Sequence, residues 1–172
     1  ATVVQPVTGI TAGNITVVKD TDGSPLLTWT PSDATDKGYS LVSLNLAVAS
    51  INGSKVRGVG GGQSIITVIT DDGERVATFT VTVTVPVASI VVANAEMRIG
   101  DPDFFPTIQW VPSDATNRNV TLASSDPAVA TIVNGKIRAV GRGRCIITIT
   151  AEDGGKKTTF FLDVRNNNFL PQ

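Results

Sequence analysis

Two short acidic segments carry the most suggestive chemistry in the chain. Asp20-Thr-Asp-Gly23 and Asp101-Pro-Asp103 each set two carboxylates two residues apart, the way a calcium-binding loop begins. Calcium takes roughly six to eight oxygens, and neither segment supplies the later positions of an EF-hand loop. Turns built on Asp side chains are therefore the expected reading. Asp33 and Asp114 recur in two Pro-Ser-Asp-Ala-Thr segments, where they are expected to cap a turn, because no base or nucleophile accompanies them. Gly58-Val-Gly-Gly-Gly62 has the composition of a phosphate cradle. Such a cradle needs a following helix whose amino terminus faces the anion, and here a β pattern follows, so a tight turn or bulge is expected. The chain has no histidine, which removes imidazole bases, histidine metal sites and every triad built on His. Its one cysteine, Cys145, removes intrachain disulfides and cysteine-rich zinc sites, and its Ile-rich context predicts a buried thiol. No enzyme activity, catalytic residue, cofactor or metal is expected.

Charge bounds the partners. The 172 residues carry a formal net charge of -1, which argues against a nucleic-acid binder driven by phosphate contacts. No segment reaches the roughly 18 uninterrupted apolar residues of a membrane helix, so no membrane insertion is expected. Residues 1–85 hold 5 basic and 7 acidic side chains, and residues 86–172 hold 9 and 8. Lys136, Arg138, Arg142 and Arg144 form a basic group in the second half. It reads first as solvated charge that blocks edge-to-edge strand pairing, and second as a contact for an acidic partner. An aromatic platform for carbohydrate is weakly supported, since only 5% of residues are aromatic. Asn14-Ile-Thr16, Asn52-Gly-Ser54 and Asn119-Val-Thr121 spell glycosylation acceptors.

The elements that hold these residues are duplicated. Trp29-Thr-Pro-Ser-Asp-Ala-Thr35 recurs as Trp110-Val-Pro-Ser-Asp-Ala-Thr116, an offset of 81. The same offset carries Lys55-Val-Arg57 onto Lys136-Ile-Arg138, Gly60-x-Gly62 onto Gly141-x-Gly143, Ile65-Ile-Thr67 onto Ile146-Ile-Thr148, and Phe79 onto Phe160. Thr78–Val85 alternates strictly, with Phe79, Val81 and Val83 on one face, which is the period of a half-buried strand. Its equivalent, Thr158–Val164, points Phe160, Leu162 and Val164 inward. Asp71-Asp-Gly73 and Asp153-Gly-Gly155 join these strands to Ser64–Ile69 and Cys145–Thr150 and predict hairpins. No window shows a good helical period. The expected fold is all-β, with two tandem β-sandwiches at 1–85 and 86–165 and a carboxyl-terminal tail at 166–172 that reads as disordered or as a docking peptide. Trp29, Trp110, Leu41 and Leu122 are the large residues expected in the cores. Pro86 follows the last strand of copy one without a spacer, so a short, stiff joint is expected.

These residues resemble the bacterial immunoglobulin-like domain of group 2. Copy two carries the pattern nearly throughout: Val87-x-x-Ile90, Pro112-Ser-Asp-Ala-Thr116, Ser124-Ser-Asp-Pro-Ala-Val-Ala-Thr-Ile132, Asn134-Gly135, Val140-Gly141 and Ile146-Ile-Thr148. Copy one keeps Pro31-Ser-Asp-Ala-Thr35, Val48-Ala-Ser-Ile51 and Val59-Gly60, but has Ser43-Leu-Asn-Leu46 in place of Ser-Ser-Asp-Pro. Leu41 and Leu122 stand where the family usually has Trp. The resemblance implies immunoglobulin-like sandwiches that space or display, as in phage virion proteins and in intimin-like surface adhesins. No leader or anchor is visible. The chain is therefore expected to be a virion auxiliary protein, a capsid decoration or tail-associated protein on the particle surface. Its expected partners are capsid or tail proteins, with further copies of itself and host cell-surface glycans as additional contacts. The alternative is a stalk fragment of a bacterial adhesin at the cell surface. Contact residues cannot be assigned from sequence.

Overall fold

The computed structural model describes residues 4–71 and 75–167. The chain divides into two compact units, Ala1–Val85 and Pro86–Gln172. Unit one runs β1 (Gly9–Gly13), β2 (Ile15–Val18), β3 (Asp22–Gly23), β4 (Leu26–Thr30), β5 (Tyr39–Ser43), β6 (Ala49–Asn52), β7 (Lys55–Gly58), β8 (Gly62–Thr70) and β9 (Val76–Thr84). Unit two runs β10 (Ser89–Val91), β11 (Ala95–Arg98), β12 (Gln109–Val111), β13 (Val120–Ser124), β14 (Ala130–Val133), β15 (Lys136–Ala139), β16 (Gly143–Ala151) and β17 (Lys157–Arg165). Among the described residues there is no helix.

Each unit is organised by one four-stranded sheet, β2-β9-β8-β5 in unit one and β11-β17-β16-β13 in unit two. The first pair of each sheet is parallel, with Ile15 opposite Val81 and Ala95 opposite Leu162. The other pairs are antiparallel. A smaller sheet faces it, β3-β7-β6 in unit one and β14-β15 in unit two. In unit two, Phe104 bridges to Ile137 and takes the place of β3. A further two-stranded sheet, β1-β4 or β10-β12, completes each sandwich.

Period-two alternation decides which residues are inside. Phe79, Val81 and Val83 of β9 are buried, as are Phe160, Leu162 and Val164 of β17. Ile66 and Val68 of β8, and Ile147 and Ile149 of β16, are fully enclosed between the sheets. Each such aliphatic side chain stabilises its sandwich by roughly 1.5–3 kcal/mol through lost water contact. The two cores fill the same row differently. Unit one sets Ile15, Val81 and Ser64 side by side across β2, β9 and β8. Unit two sets Ala95, Leu162 and Cys145 across β11, β17 and β16. A large residue in the middle strand faces smaller neighbours, and a smaller one faces a larger neighbour.

Of the four large residues expected in the cores, Leu41 is buried. Trp29, Trp110 and Leu122 are half-buried and pack against the cores from their margins. The tryptophans lie on β4 and β12, opposite Ile10 and Ile90 in the two-stranded sheets. Partial exposure at this margin suits a large amphipathic side chain. The peptide bonds preceding Pro31 and Pro112 are cis in both units.

The β16–β17 hairpin turns through Asp153-Gly-Gly155, where Gly154 and Gly155 adopt φ of 70° and 61°, a region that side chains disfavour. Asp153 also accepts the backbone N–H of Val87 at 2.9 Å. Asp72 and Gly73 of the corresponding turn in unit one lie outside the described residues, as does most of the tail, from 168 onward.

Candidate functional site

One carboxylate of each acidic segment is engaged by an arginine. Asp22 on β3 accepts from Arg57 on β7 at 3.2 Å and from the Asn52 amide at 2.9 Å. Asp103 accepts both arms of the Arg138 guanidinium, at 2.8 and 2.7 Å. The two pairs coincide under the 81-residue offset. Each pair ties β7 or β15 to the segment bridged to it. Hydrogen bonds from Arg138 hold the Asp103 carboxyl below the usual carboxylate range. Asp101 accepts the backbone N–H of Arg98 at 2.7 Å and donates its own N–H to the Arg98 carbonyl at 3.1 Å, closing a turn. Among the described residues, no three acidic or thiol groups converge as a metal site would require. The repeat itself could have found these pairs in the sequence, since both copies keep Asp and Arg at one separation.

The remaining polar motifs also serve the backbone. The turns at Pro31 and Pro112 close through the N–H of Ala34 and Ala115 onto the proline carbonyls, and both alanines are buried. Asn14 and Asn94 accept the backbone N–H of Thr80 and Phe161 at matching places in the two units. The side chains of Asn45 and Asp126 accept from Ala47 and Ala128. The glycine run belongs to a close approach of backbones. A Cβ at Gly60 would meet the Ala47 carbonyl oxygen at 2.7 Å, and one at Gly141 would meet that of Ala128 at 2.6 Å. β8 follows directly, so no helix terminus faces the loop. Cys145 is buried, and burial pushes its thiol above the ordinary value.

The basic group read from the sequence is divided by the fold. Arg138 is held by Asp103. Arg144 on β16 meets its cross-strand neighbour Asp163 through two hydrogen bonds of 2.8 and 2.9 Å, and its guanidinium lies 5.4 Å from the Phe161 ring centre. The Arg144 hydrogen bonds hold Asp163 below the usual carboxylate range. Arg142, just before β16, joins two arginines remote in sequence. Arg98 and Arg165 are directly opposite each other on β11 and β17, and Gly143 pairs with Val164 beside them. Arg98, Arg142, Arg165 and Asn166 line a surface concavity of about 340 Å³. The sequence offered no local signal for this grouping, because its members come from three segments.

Residues 107–161, all within unit two, match the family model of the bacterial Ig-like domain (group 2). No curated protein matches the chain. Among solved structures, the chain is similar to domains 4–9 of the surface layer protein SbsC, at 19% identity and a TM-score of 0.43. That alignment covers 97% of this chain and 32% of the other, so the chain spans about a third of that structure's length. SbsC domains 4 and 5 align at 24% identity and a TM-score of 0.39, covering 83% of this chain and 86% of theirs. BT4661, a SusE-like surface located polysaccharide binding protein from Bacteroides thetaiotaomicron, aligns at 15% identity and a TM-score of 0.35, covering 92% and 34%. The all-β architecture, with the family match in unit two, is that of immunoglobulin-like β-sandwich domains.

Proposed function

We propose that this protein is a non-catalytic display module, a pair of rigid sandwiches that spaces or presents a surface on a phage particle. In this reading it is an auxiliary capsid or tail-associated protein that aids contact with host cells. Its partners are virion proteins, further copies of itself on the particle, and host glycans. The observation that carries the reading is what the two copies share. The ion pairs of Asp22 with Arg57 and Asp103 with Arg138, the Asn14 and Asn94 bonds and the Gly60 and Gly141 contacts all recur. What recurs in both copies is scaffolding.

A second reading, a stalk segment of a bacterial surface adhesin, is favoured by one feature. Pro6-Val7 and Pro86-Val87 stand at the same place in the two copies, with both valines buried, which is how modules strung in series begin. Immunogold labelling with an antibody raised against this chain separates the two. Label on purified phage particles supports the virion reading. Label confined to the envelope of bacterial cells overturns it in favour of the stalk.

A further inference from the structure

The outer face of the main sheet in unit two carries two successive cross-strand rows of charge. The first row is Glu96, Asp163 and Arg144, and the second is Arg98 and Arg165, with Arg142 at the bend just before β16. Arg144 satisfies Asp163, and Arg165 reaches back to Glu96 at 2.6 Å. Among the described residues, Arg98 and Arg142 then have no carboxylate partner, and no carboxylate lines the concavity they share with Arg165. Glu96 and Asp101 line the neighbouring one, which Arg98 and Arg165 also border. Like charges directly opposite each other on a sheet are destabilising.

Unit one shows that the fold does not need this row. At the same register it places Thr16, Thr82 and Gln63, then Val18 and Thr84, and the 81-residue offset puts Gly61 where Arg142 stands. Gln63 there donates to Thr82 at 3.3 Å, in a neutral version of the Arg144–Asp163 contact. The same scaffold is thus built with and without three arginines, and they are not there for packing.

We propose that Arg98, Arg142 and Arg165 form an oxyanion subsite that takes the sulfate, phosphate or carboxylate group of an acidic saccharide. Planar guanidinium forks match such oxyanions in geometry and charge. A concavity of about 340 Å³ lies at the small end of ligand pockets, so it holds one charged sugar rather than a polymer backbone. Nucleic acid is disfavoured because three cations on a chain of net charge -1 cannot follow a run of phosphates. The proposal deepens the display reading by naming the class of glycan, and rests on that reading only for where the sugar is met.

The test is a titration of the isotopically labelled full chain with glucose 6-sulfate, glucose 6-phosphate, glucuronate and neutral glucose at constant ionic strength, followed by amide shifts. At least one charged sugar should shift the amides of Arg98, Arg142 and Arg165 saturably, while glucose does not. Which sugar saturates first identifies the oxyanion. In R98V/R142G/R165T, which installs the residues of unit one, the dissociation constant should rise at least about ten-fold. In K136Q/K156Q/K157Q, which removes equal charge elsewhere, it should stay within about two-fold. R98Q/R142Q serves the same purpose if the triple variant loses its dispersed spectrum. The proposal is overturned if no charged sugar saturates, if both sets of variants weaken binding equally, or if a DNA duplex shifts the same amides at lower concentration. These titrations are independent of where immunogold label falls, so either result can fail alone.

Discussion

The row that spans β2 or β11, the last strand and its hairpin partner supplies a quantitative prediction. Leu162 is fully buried, and its register neighbours Ala95 and Cys145 are both small. Leu162→Ala removes three carbons, roughly 2.4 kcal/mol at about 0.8 kcal/mol per buried methylene. It also opens a void that neither neighbour is long enough to enter, so the cavity contribution adds nearly in full. The expected loss is about 3–5 kcal/mol, the upper part of the range for such truncations. Val81 in unit one is equally buried but stands beside half-buried Ile15, which can move toward the gap. Val81→Ala removes two carbons and should cost about 1.5–2.5 kcal/mol. Transplanting the whole row, with Ala95→Ile, Leu162→Val and Cys145→Ser together, adds two side-chain heavy atoms, which half-buried residue 95 can carry toward the sheet edge, so it should cost about 1–3 kcal/mol, less than Leu162→Ala. Urea unfolding reports each effect through Trp110 fluorescence in a Trp29→Phe background for unit two, and the reverse for unit one. A triple variant as unstable as Leu162→Ala would refute the idea that the row is filled as a unit.

Four further outcomes follow from the geometry. Gly141→Ala should lose about 1–3 kcal/mol, because its methyl meets the Ala128 carbonyl at 2.6 Å; an unchanged melting temperature would show that the loop yields freely. The carboxyls of Asp103 and Asp163 are held low by arginine hydrogen bonds, so their contribution is complete above the ordinary carboxylate pKa and disappears as pH falls through the lowered folded values. Thermal melting from pH 6 downward to about 2 should therefore fall less steeply in D103N/D163N than in the parent. Buried Cys145, with its thiol raised, should resist a disulfide reagent at about pH 8 in the native protein and react fully in denaturant; rapid native labelling would contradict its burial. Asp33→Ala and Asp114→Ala should lower the melting temperature without abolishing saccharide binding, and loss of binding at unchanged melting would move the site.

What the sequence made legible was local. Strict alternation in Thr78–Val85 and Thr158–Val164 showed which side chains face inward, because a strand's faces follow from parity alone. The glycine pair after Asp153 announced its turn for the same reason, since only a few residues accept that backbone geometry. The tryptophans were harder to place: size and apolarity mark a residue for the core, but not whether its strand lies at the centre or the margin. The arginine row was illegible for a topological reason. Arg98 meets Arg165 only because β11 joins β17 in parallel, across 67 positions of chain, and parallel pairing leaves no hairpin signature. Without that pairing, Arg142 reads as one member of a local basic run with Arg138 and Arg144, both of which the fold commits to carboxylates.

The contrasting core rows also bear on how a duplicated chain avoids confusing its halves. Two sandwiches of like register, made on one polypeptide, offer each final strand a second sheet to join. A β17 inserted in the first sheet would press Leu162 between Ile15 and Ser64, overfilling a space shaped for Val81. A β9 inserted in the second would leave Val81 rattling between Ala95 and Cys145. Both exchanges carry a steric penalty, of roughly 1–3 kcal/mol for the overfilled case, against misassembly that threatens repeat proteins in general. Divergence inside the cores, where it is invisible from the surface, gives each strand an address.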